Sequence, residues 1–174
     1  RALTYLLHPP LLEHGGLAYA LPWLARNLTE RSGMHISALI DGNVGRLSPE
    51  IESCFFRVAQ EVLQNSIAHS GSATASIHLR REGETLKLDV RDTGTGFGFG
   101  EGSHGRNGAD GGIGLISMKE RMGRIGGTLQ ISSSAEGTLI QASKALGAHD
   151  ALREETAASD RPTPSVPQTP SREI

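Results

Sequence analysis

An α+β fold, with helices packed on one face of a mixed or antiparallel sheet, follows from three features of this sequence. Stretches of helical and of alternating apolar spacing run in the order helix, strand, helix, hairpin, loop, helix, hairpin. Both hairpins turn at short glycine-bearing links, Glu82-Gly83-Glu84 and Ala135-Glu136-Gly137. Between the second and third helices, ten of the 22 glycines crowd into residues 94–114. The prospect is a two-layer α/β sandwich with one glycine-dense segment that spends conformational entropy for a reason.

The bulk numbers narrow the function. At 174 residues the chain suits one domain with extensions, and a net charge of −2 gives no basic field for nucleic acid. Cys54 is the single cysteine, which excludes an internal disulfide and a cysteine-based metal cluster; its apolar helix face marks it as an inert buried thiol. No apolar run approaches the roughly 18 residues of a membrane span. Arg1 stands where an initiator Met would, so the chain reads as a piece of something longer.

Residues 1–15 carry Leu3, Leu6 and Leu7 ahead of His8-Pro9-Pro10, the pattern of a linker leaving a preceding helix. Apolar positions 17, 20, 21, 24 and 28 then predict a helix over 17–31, which Pro22 suits only in the first turn. Gly33 caps it, and residues 34–40 alternate as a strand. Ser48-Pro49 opens the best-patterned helix, a capping hydroxyl before an N1 proline. Its stripe is Ile51, Phe55, Val58, Ala59, Val62 and Ser66, with Glu61 and Asn65 one turn apart at the stripe's edge. Strands are predicted over 74–80 and 85–91, with Asp92 in phase with the inward Leu86, Leu88 and Val90. Ile113, Leu115, Ile116, Met118, Met122 and Ile125 mark a helix opening near Gly112, capped by Gly126-Gly127. Strands over 128–133 and 138–143 complete a domain of residues 16–147. From residue 148 the chain is polar and proline-rich, the composition of a disordered tail.

A carboxylate closing a strand, a polar pair on one helix and glycines opening another suggest a nucleotide site. No Gly-Lys pair exists for a P-loop, so phosphate donors would be loop and helix amides near Gly112, with Lys119 or Arg121 adding charge. Gly100-Glu101-Gly102-Ser103-His104-Gly105 matches a dinucleotide fingerprint in form but opens no patterned helix.

Over residues 16–146 these pieces resemble the GHKL (Bergerat-fold) ATPases. Residues 56–70, with Gln60-Glu61-Val62-Leu63-Gln64-Asn65, look like the N-box, closest to a sensor-histidine-kinase subfamily that includes nitrate sensors. Asp92-Thr93-Gly94-Thr95-Gly96 looks like the first glycine box and Gly112-Ile113-Gly114-Leu115 the start of the second. Leu7-His8-Pro9-Pro10-Leu11-Leu12 is similar to the segment leaving that subfamily's dimerisation helices.

The resemblance implies ATP and Mg²⁺ as cofactors. Asn65 would hold the cation and Glu61 would act on it, or on the transferring phosphate, through water. His69 would reach a phosphate, and Asp92 would accept from the adenine amino group. Gly94 and Gly96 would admit the base, residues 97–111 would form the lid, and Gly112, Ile113, Gly114 and Leu115 would line the phosphates. Thr138 would support Asp92. Ser117 stands where the subfamily usually has glycine, the last strand lacks its usual Leu-Pro finish, and no phosphoacceptor-histidine segment is present. The implied protein is a cytoplasmic histidine-kinase module, its parent open to membrane anchorage. It would transfer phosphate to a histidine on a missing dimerisation domain for relay to a response regulator, and this piece would be monomeric without direct membrane contact. Two rivals stand beside it: a GHKL serine kinase or ATPase, and a non-catalytic nucleotide- or protein-binding module.

Overall fold

The β2–β3 hairpin is the centre of the sheet, and its alternation sets the two faces. The computed structural model describes residues 10–96 and 108–150. In it, strands β2 (Thr74–Glu82) and β3 (Thr85–Asp92) pair antiparallel, Ile77 opposite Val90 and Leu79 opposite Leu88. Strand β1 (His35–Asp41) adds parallel to β2, while β5 (Gly137–Ala145) adds antiparallel to β3 and β4 (Gly127–Ser134) to β5. The spatial order is β1-β2-β3-β5-β4, a mixed five-stranded sheet.

Inward positions Ala75, Ile77, Leu79, Leu86, Leu88, Val90, Ile140 and Ala142 are buried. Those on the opposite face are polar and wet, laced by Arg80–Asp89, Arg80–Glu82 and Lys87–Glu82 ion pairs. Such pairs on a solvated face contribute little stability. The covered face carries the three α-helices of the described residues, α1 (Pro10–Ser32), α2 (Pro49–Asn65) and α3 (Gly108–Arg124). The two-layer α+β sandwich is as the sequence predicts.

Helix α2 packs Ile51, Phe55, Val58, Ala59 and Val62 into this core, and Phe55 and Phe56 are its largest buried side chains. The chain then widens into a π-helical turn, Ser66–Ser70, ending at Gly71 in the left-handed region. Single wide turns of this kind often accompany functional positions because they re-aim side chains. Glycines 33 and 126 end α1 and α3 with positive φ, as their capping role requires.

Several expectations need correction. The first helix begins at Pro10 and is broken at Gly16, so Leu12 joins the core and Pro22 lies beyond the first turn of the segment that follows. Ser48 makes no side-chain cap; the Glu52 carboxylate instead accepts from the Leu47 amide at 3.0 Å, and the Ser48 amide donates to the Asp150 carbonyl. Helix α3 starts at Gly108, a turn earlier than apolar spacing marks, because residues 108–111 have no large apolar side chain to signal it. Ile116, one of the apolar positions that mark this helix, is 58% exposed, whereas Met118 and Met122 fill the core. Residues 1–9, 97–107 and 151–174, which hold the start of the linker, most of the lid and the tail, lie outside the described residues.

Candidate functional site

Asp92 ends the middle strand with its side chain pointing into the covered layer, and it is 1% exposed. A carboxylate buried so deeply needs donors. It has two: the Ser66 hydroxyl donates to Oδ2 at 2.7 Å, and the Gly94 amide donates to Oδ1 at 2.9 Å. Each oxygen therefore has one donor fixed by the fold and lone-pair capacity left over. Thr138 sits opposite Asp92 in the β3–β5 register and is buried, with its hydroxyl 3.4 Å from that of Ser133.

Glycines make the close approaches around this carboxylate. A Cβ on Gly94 would strike the Ser70 backbone and side chain, and the next amide, Thr95, donates to the Ser70 carbonyl at 3.0 Å. Gly96 has φ 71°, and a Cβ there would run into Ser133 and Ser134 at the β4–β5 turn. Gly137, at φ 126°, lies against the Asp92 carbonyl, where a Cβ could not fit. The first glycine box is thus held between the π-helical turn on one side and the second hairpin on the other.

The second glycine segment meets the other polar pair. Glu61 and Asn65 are both half-buried at the edge of α2, as their spacing predicts. A Cβ on Gly114 would lie 2.8 Å from Glu61 Oε1 and 3.8 Å from Asn65 Nδ2. The glycine leaves a cradle in front of these two groups that any side chain would fill. Helix α3 then runs back along α2, so that the Cys54 thiol meets Met122 sulfur at 3.5 Å. Burial pushes that thiol up to about 11, the nearby Arg121 charge only partly offsetting it. Arg121 lies two helical turns beyond Gly114, where its charge acts on Cys54 and Arg57. Lys119 is exposed and lines a shallow groove with Leu115, Ile116, Leu129 and Ile131.

His69 is exposed on the π-helical turn. Gly112 and Ile113 lie in α3, and Leu115 is half-buried one position beyond Gly114. Among the described residues no three His, Cys, Asp or Glu groups gather as a metal cage. The donor set at Gly114, one carboxylate and one amide, fits Mg²⁺, which takes one or two protein oxygens and completes its shell with phosphate and water. Ser66 was legible only as a stripe position. A serine among Phe55, Val58 and Val62 was the signal, since a buried hydroxyl must find a partner.

An α+β sandwich with a buried strand-end carboxylate and two glycine segments closing on one helix defines a nucleotide-binding ATPase domain of the histidine-kinase kind. Solved histidine kinases share the fold. The histidine kinase domain of the blue-light-activated kinase from Erythrobacter litoralis EL346 superposes with a TM-score of 0.57 at 22% identity, over 75% of this chain and 65% of that one. Acinetobacter baumannii AdeS gives 0.58 at 12% identity, over 76% and 66%. Residues 51–147 match the family described as histidine kinase-, DNA gyrase B- and HSP90-like ATPase, and the chain belongs to that family. Sensor histidine kinase NarS of Mycobacterium tuberculosis (strain ATCC 25618 / H37Rv) is 38% identical over 80% of this chain and 32% of its own length. Sensor histidine kinase MctS of Rhizobium johnstonii is 34% identical over 82% and 30%. The chain thus spans about a third of the curated relatives it matches. No described helix is long and apolar enough to cross a membrane.

Proposed function

We propose that this chain is the ATP-binding catalytic part of a sensor histidine kinase. It would present Mg-ATP so that the γ-phosphoryl group passes to a histidine on a helical dimerisation domain outside the chain, for relay to a response regulator. The observation that carries the reading is the double approach of glycine segments to one helix: Gly94 on Ser70 beside Asp92, and Gly114 on Glu61 and Asn65.

Each group then has a task set by its chemistry. Asp92, its oxygens aimed by Ser66 and Gly94, accepts from the adenine amino group, while Gly94 and Gly96 let the base lie against backbone. Thr138 and Gly137 keep the strand end in register. The Asn65 amide oxygen ligates the cation, and Glu61 orders a water on it. Gly112, Ile113, Gly114 and Leu115 supply the amide-rich start of the second box to phosphate oxygens, and His69 reaches a phosphate from the π-helical turn. Mg²⁺, when bound, neutralises charge on the phosphates, so the protein's contribution is alignment and electrostatics. Residues 16–147 form the working unit, 1–15 the lead from the helical module, of which Leu12 packs into the core, and 148–174 a tail whose first residues fold back so that the Asp150 carbonyl accepts from the Ser48 amide. The parent works at the cytoplasm, and this piece is monomeric. Radiolabelled transfer from γ-labelled ATP to a supplied histidine-bearing dimerisation domain tests the reading. Label on that histidine supports it, whereas ATP binding without transfer favours a non-catalytic module.

A further inference from the structure

Arg46 and Glu52 form a joint that the nucleotide site does not use. Helix α1 is broken at Gly16, with φ 61° and ψ −163°. In an unbroken helix the carbonyls of Leu12 and Glu13 would accept from the amides of Gly16 and Leu17. Here Arg46 supplies donors, Nη2 to the Leu12 carbonyl at 3.1 Å and Nη1 to the Glu13 carbonyl at 3.0 Å. The same guanidinium pairs with Glu52, Nε to Oε1 at 3.1 Å and Nη2 to Oε2 at 3.4 Å. The Glu52 side chain is 3% exposed and also takes the Leu47 amide. Gly16 closes the joint, because a Cβ there would lie 2.7 Å from Glu52 Oε1 and 3.0 Å from Arg46 Nε.

The planar five-donor fork of Arg46 serves two carbonyls and both carboxylate oxygens, four contacts that the three donors of a lysine ammonium cannot match in number or direction. With Glu52 buried and the Arg46 side chain 30% exposed, the pair is a poor device for stability alone, since apolar replacements often do as well, but it suits fixing one geometry. Glu52 lies on α2, the same rigid helix that bears Glu61 and Asn65. The joint therefore ties segment 10–15 to the helix of the candidate phosphate site.

We propose that Arg46 and Glu52 are positioning residues that fix the angle at which segment 10–15 enters the domain, and so where the histidine-bearing helices stand relative to bound Mg-ATP. The proposal rests on the kinase reading above. Phosphoryl transfer needs in-line alignment, and small misplacements far from the chemistry slow it.

The test uses Arg46→Met combined with Glu52→Gln, which leaves neither charge unpaired, and Arg46→Lys. Amide exchange by mass spectrometry and Mg-ATP calorimetry are run on this chain, and autophosphorylation on the longer protein carrying the phosphoacceptor helices. Exchange over residues 11–17 is expected to quicken about ten-fold or more in the double variant, with Mg-ATP affinity held within about two-fold. Autophosphorylation kcat is expected to fall about ten-fold with KM for ATP unchanged, and Arg46→Lys to fall between. Unchanged exchange, unchanged kcat, or affinity that weakens in step with exchange overturns the proposal. Failure of the wild type to bind Mg-ATP would remove the kinase reading itself, and is told apart because exchange over 11–17 would still respond.

Discussion

Ser66→Ala removes one hydroxyl and isolates what it does. In the fold that hydroxyl donates to Asp92 Oδ2 at 2.7 Å, with Ser66 2% and Asp92 1% exposed. The alanine leaves no sizeable cavity, so the loss is the hydrogen bond. A bond to a charged group is worth about 1.5–3 kcal/mol, and a buried carboxylate that keeps its second donor, the Gly94 amide, loses an amount near the middle of that range. For a domain of this size about 2 kcal/mol lowers Tm by roughly 6–10 °C. Asp92 keeps only the Gly94 amide, its Oδ2 swings free, and adenine recognition weakens about ten-fold, or about 1.4 kcal/mol. Differential scanning calorimetry and ATP titration read the two effects. Ser143→Ala is the control, because its hydroxyl bonds the Thr128 hydroxyl in an exposed pair on the solvated face. A Ser66→Ala protein with Tm within about 1 °C of wild type and unchanged ATP affinity would refute the role given to this contact.

Other outcomes follow from the same geometry. Gly114→Ala should raise or hold Tm, since alanine favours a helix by about 1 kcal/mol, yet weaken Mg-ATP binding about ten-fold by displacing Glu61. Thermal melting with calorimetry separates the two, and intact affinity would remove Glu61 from the site. Gly137→Ala combines φ 126° with a collision on the Asp92 carbonyl and should cost about 3 kcal/mol in urea unfolding. The Cys54 thiol, raised on folding from 9.0 to about 11, favours the native state below pH 9. That stability is lost as pH climbs from 9 towards 11, and disulfide-exchange reagents at pH 8 should label Cys54 only on unfolding. Cys54→Ala should flatten that alkaline slope.

Local pattern carried the hairpins, helix α2 and the inward phase of Asp92, because a period of two or of 3.6 is written in neighbouring residues. Glu61 and Asn65 at the stripe edge were legible for the same reason. What failed depended on contacts distant in sequence. The break at Gly16 is set by Arg46 and Glu52, some 30 residues away. Ser48 was displaced from capping by Asp150 and Glu52. The partnership of Ser66 with Asp92 spans 26 residues and is invisible until the sheet closes. The parallel pairing of β1 with β2 and the β5-between-β3-and-β4 order are likewise properties of the assembled sheet.

Calorimetric titration of ATP, with and without Mg²⁺, into wild type, Asp92→Asn and Asn65→Ala tests the central claim most directly. Wild type is expected to bind, Asp92→Asn to lose binding at unchanged fold, and Asn65→Ala to lose chiefly the Mg²⁺ dependence. Binding by Asp92→Asn equal to that of wild type, or no heat from folded wild type at millimolar Mg-ATP, would contradict the site at Asp92 and the kinase reading built on it.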